Sequence, residues 1–400
     1  MNHRVLWAGM LGMCVGTVLA ATPTEQKAIV QDGNGGPEVL KEQTVPVLEP
    51  GANQVLIRVY AAAVNPVDWK MRQGMGRPGG GAGGPPGGGA GGPPGGGAGG
   101  PPGGAPAGGP PGGGAPGAAP AGGPPGGAMA MSMPSKSVPG MDVAGVIEKV
   151  GSGVTTLKVG EAVFSMIGRG GVSGLNGGYS HFVVAPAANV VAKPKNFTYA
   201  QAAGIGTAGM TGARTVNQVK LTKGQTVLIT GVAGGVGSAA AQIAKADGAT
   251  VIGTASARHD AYLKSIGVSR VIDYTKGNFE DQVKDVDVVI NTVTGDTAER
   301  SLKTLKKGGT FASVAGSVAA DKCAAAGVTC VGGGPPGPGG PSEGDLLAQV
   351  AKLASEGKYK VHVDKTFPLD KAADAQEYNR DGHSEGKVIL VVDSAKANTK

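Results

Sequence analysis

The first feature of this sequence that could do chemistry is a cluster of glycines that follows a short apolar run. The apolar residues are Val227, Leu228 and Ile229, the glycines lie within positions 231–237, and an alanine-rich segment begins at Ser238. This order predicts a strand, a tight turn and a helix. Such a turn lets backbone N–H groups reach a phosphate, and the start of the helix attracts negative charge. We therefore predict a dinucleotide pyrophosphate site made by Ala233, Gly234, Gly235, Val236 and Gly237.

The glycine cluster alone does not prove a ligand, because tight turns without one are common. Ala233 occupies the position at which the simple dinucleotide fingerprint has its second glycine. The downstream sequence supports the site, since a second strand is predicted at Thr250–Thr254, about as far along as the fingerprint requires. A turn with a purely structural role is the alternative.

The end of that second strand distinguishes between the two nicotinamide cofactors. A site for NAD usually has Asp or Glu there, which accepts a hydrogen bond from the ribose 2′-hydroxyl. This chain instead reads Thr254-Ala255-Ser256-Ala257-Arg258, without a carboxylate. Ser256 and Arg258 offer a hydrogen bond and a positive charge to a 2′-phosphate, so NADPH is the predicted cofactor. Alternatively, Arg258 is a solvated residue in the first turn of the next helix.

The composition limits the number of domains and the class of partner. The chain has 400 residues, a formal net charge of +7 and 4% aromatic residues. Its length fits two folded domains once the uncharged segment described below is set aside. Basic residues are dispersed among acidic ones and form no stripe with interleaved aromatics, so nucleic acid is not a predicted partner.

The N-terminus has the layout of a secretory signal peptide, predicted at residues 1–20. His3 and Arg4 precede an apolar stretch that ends in Val18-Leu19-Ala20-Ala21, a small-residue cleavage site. The predicted location is therefore exported, either periplasmic or secreted. An uncleaved anchor is the alternative, and a cytoplasmic location follows if the leader is not functional. After export Cys323 and Cys330 could pair, although two unpaired thiols fit the sequence equally well.

A Gly/Pro-rich repeat without charged residues extends from Pro78 to Ser135. This composition offers little to bury and cannot offset the loss of chain entropy, so the segment is predicted to be a disordered insert. Our hypothesis is that it acts as a tethered lid or attaches a surface partner. Repeat expansion in a permissive loop is the alternative.

The remaining sequence alternates strand and helix patterns. In Gln54–Val64, apolar residues at every second position predict a strand with one buried face. After the glycine cluster, strands are predicted at 271–274, 287–291 and 309–316, and helices at 297–305 and 343–355. Alternation of this kind is typical of an α/β fold with a doubly wound parallel sheet.

Five motifs together resemble the medium-chain dehydrogenase/reductase superfamily, specifically its zinc-independent quinone oxidoreductase-like branch. They lie at 65–68, 140–145, 177–180, 207–211 and 233–237. The resemblance implies a Rossmann doubly wound sheet and a GroES-like β-barrel built from both ends of the chain. The expected boundaries are 22–195 for the GroES-like catalytic domain, 196–345 for the NADP-binding domain and 346–400 for the return to the barrel. A homodimer is also implied.

The resemblance also allows a test for zinc. In the zinc-dependent branch a Cys occupies the position of Asn65, and a His-Glu pair occupies Met141-Asp142. Zinc requires three or four Cys, His or carboxylate ligands, so no metal is predicted. The expected reaction is then hydride transfer from NADPH to a quinone or an α,β-unsaturated carbonyl, in which the cofactor supplies the difficult chemistry.

The resemblance places two groups of residues at the cofactor. It implies that the catalytic residues are Asn65, Asp68 and Tyr179, although a turn-forming Asn and a packed Tyr are the ordinary alternatives. It implies further cofactor contacts from Asn65, Thr211, Tyr274, Asn291, Val314, Ala315, Gly316 and Lys387. The usual alternative for the lysine is a solvated side chain at the start of a strand.

One tension separates two functional hypotheses. Soluble NADPH is not expected in quantity outside the cytoplasm, whereas the leader predicts export. The leading hypothesis is a zinc-independent NADPH-dependent oxidoreductase of quinones or enones. The alternative is a non-catalytic exported binding or surface protein that retains a nucleotide cleft.

Overall fold

The computed structural model describes residues 21–74, 136–168, 174–332, 339–382 and 384–400. The predicted signal peptide at 1–20 and the predicted insert at 78–135 lie outside the described residues. Within those ranges, no helix has the length and apolar character needed to cross a membrane.

The structure contains the following strands: β1 (Glu25–Asp32), β2 (Leu40–Pro46), β3 (Gln54–Val64), β4 (Lys136–Ser137), β5 (Asp142–Val150), β6 (Ala162–Met166), β7 (Phe182–Pro186), β8 (Val190–Ala192), β9 (Thr226–Thr230), β10 (Thr250–Ala255), β11 (Arg270–Asp273), β12 (Val286–Asn291), β13 (Leu305–Ser313), β14 (Thr329–Val331), β15 (Val363–Pro368) and β16 (Lys387–Val391). The α-helices are α1 (Pro66–Arg72), α2 (Tyr199–Ala203), α3 (Gly206–Gln218), α4 (Gly235–Ala246), α5 (Asp260–Ser265), α6 (Phe279–Gln282), α7 (Thr297–Leu302), α8 (Ala320–Ala325), α9 (Glu343–Ser355) and α10 (Ala372–Arg380).

A six-stranded parallel sheet forms the C-terminal half of the fold, with the strand order β11-β10-β9-β12-β13-β14. Its central strands β9 and β12 contain the apolar runs 227–229 and 288–290, as expected where both faces of a sheet are covered. Val227 and Ile229 of β9 pack into the core that contains α3, α4 and α9, whereas Leu228 packs on the opposite face with α6 and α7. Helices therefore cover both faces, and the predicted doubly wound sheet is confirmed.

A seven-stranded sheet forms the barrel domain and unites both ends of the chain. Its order is β15-β16-β3-β5-β6-β8, and β7 pairs with β3. The antiparallel register places Val388 opposite Val64 and Leu390 opposite Ala62, so a C-terminal strand completes an N-terminal sheet. Both ends of the chain thus contribute to one sheet, as the predicted GroES-like barrel requires. A smaller antiparallel sheet has the order β2-β1-β4.

Some helices and strands have the predicted bounds, whereas the bounds of others depend on pairing with distant residues. Strand β3 and helix α9 have the predicted bounds, and Ser342 caps α9 by accepting from the backbone N–H of Asp345. The predicted helix at 297–305 ends at Leu302 instead, because Leu305 pairs with Val286 and begins β13. The edge strand β14 was not predicted, since its three residues carry no distinct pattern.

Cys323 and Cys330 form a disulfide, with their Cα atoms 6.0 Å apart. Cys323 lies in α8 and Cys330 lies in the edge strand β14. Of the two possibilities that the sequence left open, the structure therefore has the paired form.

Candidate functional site

The glycine turn, residues 231–237, has the predicted strand–turn–helix geometry. Strand β9 ends at Thr230, Gly231 has a φ of +67°, and α4 begins after Gly234 as its N-cap. A Cβ on Gly237 would lie 2.4 Å from the carbonyl oxygen of Gly231, so only glycine allows the helix to approach the strand this closely. The first-turn N–H groups of α4 have no acceptor one turn earlier in the helix, and they can bind an anion.

Ser256 and Arg258 share one turn at the end of the neighbouring strand β10. Ser256 is the N-cap residue of the 3-10 turn Ala257–His259 but its side chain makes no capping hydrogen bond, and the side chain of Arg258 is exposed. The backbone N–H of Gly231 donates to Oγ1 of Thr254 at 3.2 Å, which ties the glycine turn to this strand end. The two regions predicted to bind the pyrophosphate and the 2′-phosphate are therefore adjacent.

A carboxylate also lies at the end of the next strand, where sequence reasoning did not consider one. Asp273 ends β11 in register with Ala255. Its Oδ1 accepts from the backbone N–H and the hydroxyl of Thr275 at 3.0 and 2.7 Å. These hydrogen bonds lower the pKa of Asp273.

Asn291 is fully buried, and its side chain is committed to the protein. Its Oδ1 accepts from the hydroxyl of Thr230 at 2.6 Å, and its Nδ2 donates to the carbonyls of Val293 and Ala315 and to Ser313 Oγ. These hydrogen bonds give the side chain a structural role, and its contact with the cofactor stays a prediction. Asn291 fixes the ends of β9, β12 and β13 and the loop that follows.

The other predicted cofactor residues lie on three different elements. Val314 and Ala315 are half-buried just after β13, and Gly316 has a φ of +92°. Thr211 is half-buried within α3, and Tyr274 is 58% exposed after β11. These positions are compatible with an elongated ligand that follows the carboxyl ends of the parallel strands.

Four polar side chains from distant parts of the sequence meet at the barrel domain. Nδ2 of Asn65 donates to Oδ2 of Asp142 at 2.9 Å, and Nζ of Lys387 donates to Oδ1 of Asn65 at 2.6 Å. The backbone N–H and the hydroxyl of Thr207, at the start of α3, donate to Oδ1 of Asp142 at 2.8 and 2.7 Å. We call Asn65, Asp142, Thr207 and Lys387 the buried cluster.

The buried cluster contains an ion pair that burial makes costly. Nζ of Lys387 lies 3.9 Å from Oδ2 of Asp142. Burial lowers the pKa of the Lys387 ammonium, although Asp142 and Asp68 act in the opposite direction. Burial also raises the pKa of Asp142, against the effects of the Lys387 charge and the hydrogen bonds from Thr207. Neither charge can be removed without leaving the other poorly compensated.

Asp68 and Tyr179 form a second buried pair beside this cluster. Oδ2 of Asp68 accepts from the backbone N–H of Asn65 at 2.8 Å and from the hydroxyl of Tyr179 at 2.9 Å. Burial raises the pKa of Asp68 to about 7, and the two hydrogen bonds offset only part of this effect. The carboxyl group consequently titrates near neutral pH.

The structure brings the predicted catalytic residues together but does not expose them. Asn65 and Asp68 are each 3% exposed, and Tyr179 is fully buried. Their polar atoms bind one another and the neighbouring barrel residues, so direct contact with a substrate is not supported by this geometry. The catalytic role of Asn65, Asp68 and Tyr179 stays a prediction.

Lys387 also differs from both sequence expectations. It is 5% exposed rather than solvated, and its ammonium binds Asn65 rather than extending towards the phosphates. The preceding residue contacts the phosphate turn instead, since the backbone N–H of Gly386 donates to the carbonyl of Ala233 at 2.9 Å. Gly386 and Lys387 thus connect the glycine turn to the buried cluster.

Sequence reasoning assigned no role to Asp142, Thr207, His259 or Glu385. Asp142 gave a weak signal, because a charged residue directly precedes the apolar run at 143–147. Glu385 gave none, since its partner His259 is 126 positions away.

Two further observations concern ligands. Among the residues that the structure describes, no three His, Cys, Asp or Glu side chains gather as a metal site would require. A surface pocket of about 330 Å³ is lined by Tyr262, Tyr359 and His362, and no residue of the glycine turn lines it.

Comparison with known proteins agrees with this architecture. Residues 122–195 match the alcohol dehydrogenase GroES-like domain, and residues 266–390 match the zinc-binding dehydrogenase family. The chain is 32% identical, over 94% of its length, to the chloroplastic NADPH-dependent alkenal/one oxidoreductase of Arabidopsis thaliana, and covers 81% of it. It is 31% identical to the 2-methylene-furan-3-one reductase of Solanum lycopersicum, over 92% of this chain and 79% of that protein.

The solved structures give the same result. The quinone oxidoreductase from Coxiella burnetii superposes with a TM-score of 0.70 at 30% identity, over 92% of this chain and 99% of that one. The chain therefore belongs to the medium-chain dehydrogenase/reductase superfamily, as an oxidoreductase of its quinone oxidoreductase-like branch.

Proposed function

We propose that this protein uses NADPH to reduce a quinone or an α,β-unsaturated carbonyl, and that it does so without zinc. The observation that carries the proposal is the adjacency of the glycine turn to Ser256 and Arg258 at the end of β10. The relatives named as NADPH-dependent alkenal/one oxidoreductase and as quinone oxidoreductase support both the cofactor and the class of acceptor.

The residues present fit NADPH. Gly234, Gly235 and Gly237 place no side chain at three positions around the start of α4, and a Cβ on Gly235 would lie 3.1 Å from Cδ of Lys387. The N–H groups of this turn would hold the pyrophosphate, while Ser256 and Arg258 would hold the 2′-phosphate. When bound, the cofactor supplies the hydride.

The buried cluster would keep the two halves of the cleft in place. Asp142 joins β5 to the start of α3 through Thr207, and Lys387 joins β16 to Asn65 at the end of β3. Since Gly386 binds Ala233, the same connection extends to the phosphate turn. Rigid placement of the two reactants is itself a large part of catalysis in such a reaction.

Zinc independence rests on the residues at the expected ligand positions. Asn65 and Met141 replace the Cys and His of the zinc-dependent branch. Both oxygens of Asp142 accept hydrogen bonds from neighbouring protein groups. An amide, a thioether and an engaged carboxylate form a poor donor set for Zn²⁺.

We further propose that the protein is exported after loss of residues 1–20 and acts as a homodimer, and that the 78–135 insert binds a surface partner. The disulfide between Cys323 and Cys330 supports an oxidising compartment. Mass spectrometry of the mature N-terminus tests export: a chain that begins at Ala21 agrees with it, and an intact Met1 contradicts it.

Cofactor binding is the first test. The protein without residues 1–20 is titrated with NADPH and with NADH, and binding is followed by fluorescence. We expect tighter binding of NADPH, and Arg258→Ala should weaken it roughly tenfold or more, because a hydrogen bond to a charged group contributes about 1.5–3 kcal/mol. The matched control is Arg270→Ala, at the N-terminal end of β11, which should change neither affinity.

Activity is then measured with quinones and enones, with and without a metal chelator. Turnover that the chelator does not change supports the proposal, and loss of turnover would contradict zinc independence. If neither NADPH nor NADH binds, the proposed reductase activity is refuted. That result would favour the alternative, a non-catalytic exported protein that retains the cleft.

A further inference from the structure

A buried histidine lies directly behind the arginine that we assign to the 2′-phosphate. His259 is 7% exposed and ends the 3-10 turn that carries Ser256 and Arg258. Nε of Arg258 donates to Nε2 of His259 at 2.9 Å. On the other side of the ring, Nδ1 of His259 lies 2.5 Å from Oε2 of Glu385. The imidazole therefore stands between a cation and a carboxylate.

These contacts fix the tautomer of the ring. The Nε–H of an arginine can only donate, so Nε2 of His259 must accept and carries no proton. The remaining ring proton then lies on Nδ1 and is donated to Glu385. The hydrogen bonds consequently run in one direction, from Arg258 to His259 and from His259 to Glu385. Glu385 orients the ring of His259, and the ring orients the guanidinium of Arg258.

Glu385 is itself held from a second direction. Its Oε1 lies 3.3 Å from Nε2 of His362, whose ring packs against Tyr262 with the centroids 4.9 Å apart. The next residue, Gly386, donates its N–H to the carbonyl of Ala233 in the glycine turn. A Cβ on Gly386 would lie 2.5 Å from the carbonyl oxygen of His362. The position of Glu385 is thus tied to the phosphate turn.

We propose that His259, oriented by Glu385, positions the guanidinium of Arg258 for the 2′-phosphate and so determines the preference for NADPH over NADH. This inference rests on the function proposed above. His259 is a positioning residue, because it touches Arg258 and is not expected to touch the cofactor. A guanidinium presents five N–H donors in a rigid fork, so fixing its Nε–H fixes the direction of the whole group.

The ordinary alternative is that His259 only fills space under the turn. Two substitutions of similar size separate these roles, because the amide of Asn reaches the position of Nδ1 and the amide of Gln reaches that of Nε2. His259→Asn should keep the contact with Glu385 and lose the contact with Arg258. His259→Gln should keep the contact with Arg258 and lose Glu385.

The test measures binding of two fragments to the protein without residues 1–20, by calorimetry. The probe is 2′,5′-ADP, and the matched control is 5′-AMP, which lacks the 2′-phosphate. We expect His259→Asn to weaken 2′,5′-ADP about five- to tenfold, as loss of one ordered hydrogen bond implies, with 5′-AMP unchanged within twofold. His259→Gln should have a smaller effect. Glu385→Ala, in a partly exposed loop, should weaken 2′,5′-ADP by more than twofold but less than His259→Asn does, because it removes the same contact that His259→Gln loses.

The outcomes separate the positioning role of His259 from the binding of the 2′-phosphate by Arg258. If Arg258→Ala weakens 2′,5′-ADP but His259→Asn and Glu385→Ala leave it within twofold of the wild type, the positioning role is refuted while the assignment of Arg258 stands. If Arg258→Ala has no effect, both are refuted. If the histidine and glutamate variants weaken both fragments equally, the role is structural and this proposal is also refuted. A variant with a lowered melting temperature is judged by the ratio of the two affinities.

Discussion

Replacing Asp68 with asparagine should change how the stability of the protein depends on pH. Burial raises the pKa of this carboxyl group from its ordinary 3.8 to about 7 in the folded protein. The folded state therefore binds a proton that the unfolded chain has already released. The resulting stabilisation is fully present below about pH 4 and is lost as the pH rises through 7. Asparagine is neutral at every pH, so Asp68→Asn lacks this dependence.

The size of the effect follows from the two pKa values. The unfolded chain ionises this carboxyl group at a much lower pH than the folded protein does, which lowers the free energy of unfolding, relative to its value at low pH, by about 2 kcal/mol at pH 5 and about 4 kcal/mol at pH 8. The stability of Asp68→Asn relative to the wild type should therefore increase by about 2–3 kcal/mol over this range. Groups far from Asp68 contribute equally to both proteins and cancel in the difference.

The measurement is urea unfolding of both proteins at pH 5, 6, 7 and 8. Asp370→Asn is the matched control, because Asp370 is an exposed aspartate and its removal should leave the pH profile parallel to that of the wild type. A difference between Asp68→Asn and the wild type that stays constant within about 0.5 kcal/mol would refute the reasoning. That result would mean that Asp68 is already ionised in the folded protein at pH 5.

Two further predictions concern the buried cluster and the glycine turn. Asp142→Asn and Lys387→Met should each lower the free energy of unfolding, because each single change leaves one buried partner unpaired. The double variant should lose about 1–3 kcal/mol less stability than the sum of the two single losses. Additive losses in urea unfolding would show that the pair is not coupled. Gly237→Ala should destabilise the protein by about 1–3 kcal/mol and weaken NADPH binding, since the new Cβ would lie 2.4 Å from the carbonyl oxygen of Gly231. The control is Gly234→Ala, whose Cβ would lie 3.5 Å from that oxygen and which should leave the melting temperature nearly unchanged. Equal melting temperatures for the two variants would contradict this packing argument.

Local patterns predicted much of the fold because the relevant physics is local. The apolar run at 227–229 must be buried on both faces, and the glycines that follow permit a turn that other residues would block. The same reasoning located Ser256 and Arg258 at the end of the next strand, and the structure places them beside the glycine turn. Capping residues set the start of helix α9.

The sequence by itself determined the strand–turn–helix unit, the alternation that produces a parallel sheet, and the absence of a carboxylate at the end of β10. The tertiary structure decided which polar residues are buried together. Lys387 meets Asn65 across 322 positions, Asn65 meets Asp142 across 77, and His259 meets Glu385 across 126. A lysine at the start of a strand looks solvated until the barrel closes, because burial and charge pairing depend on neighbours that only the folded chain supplies.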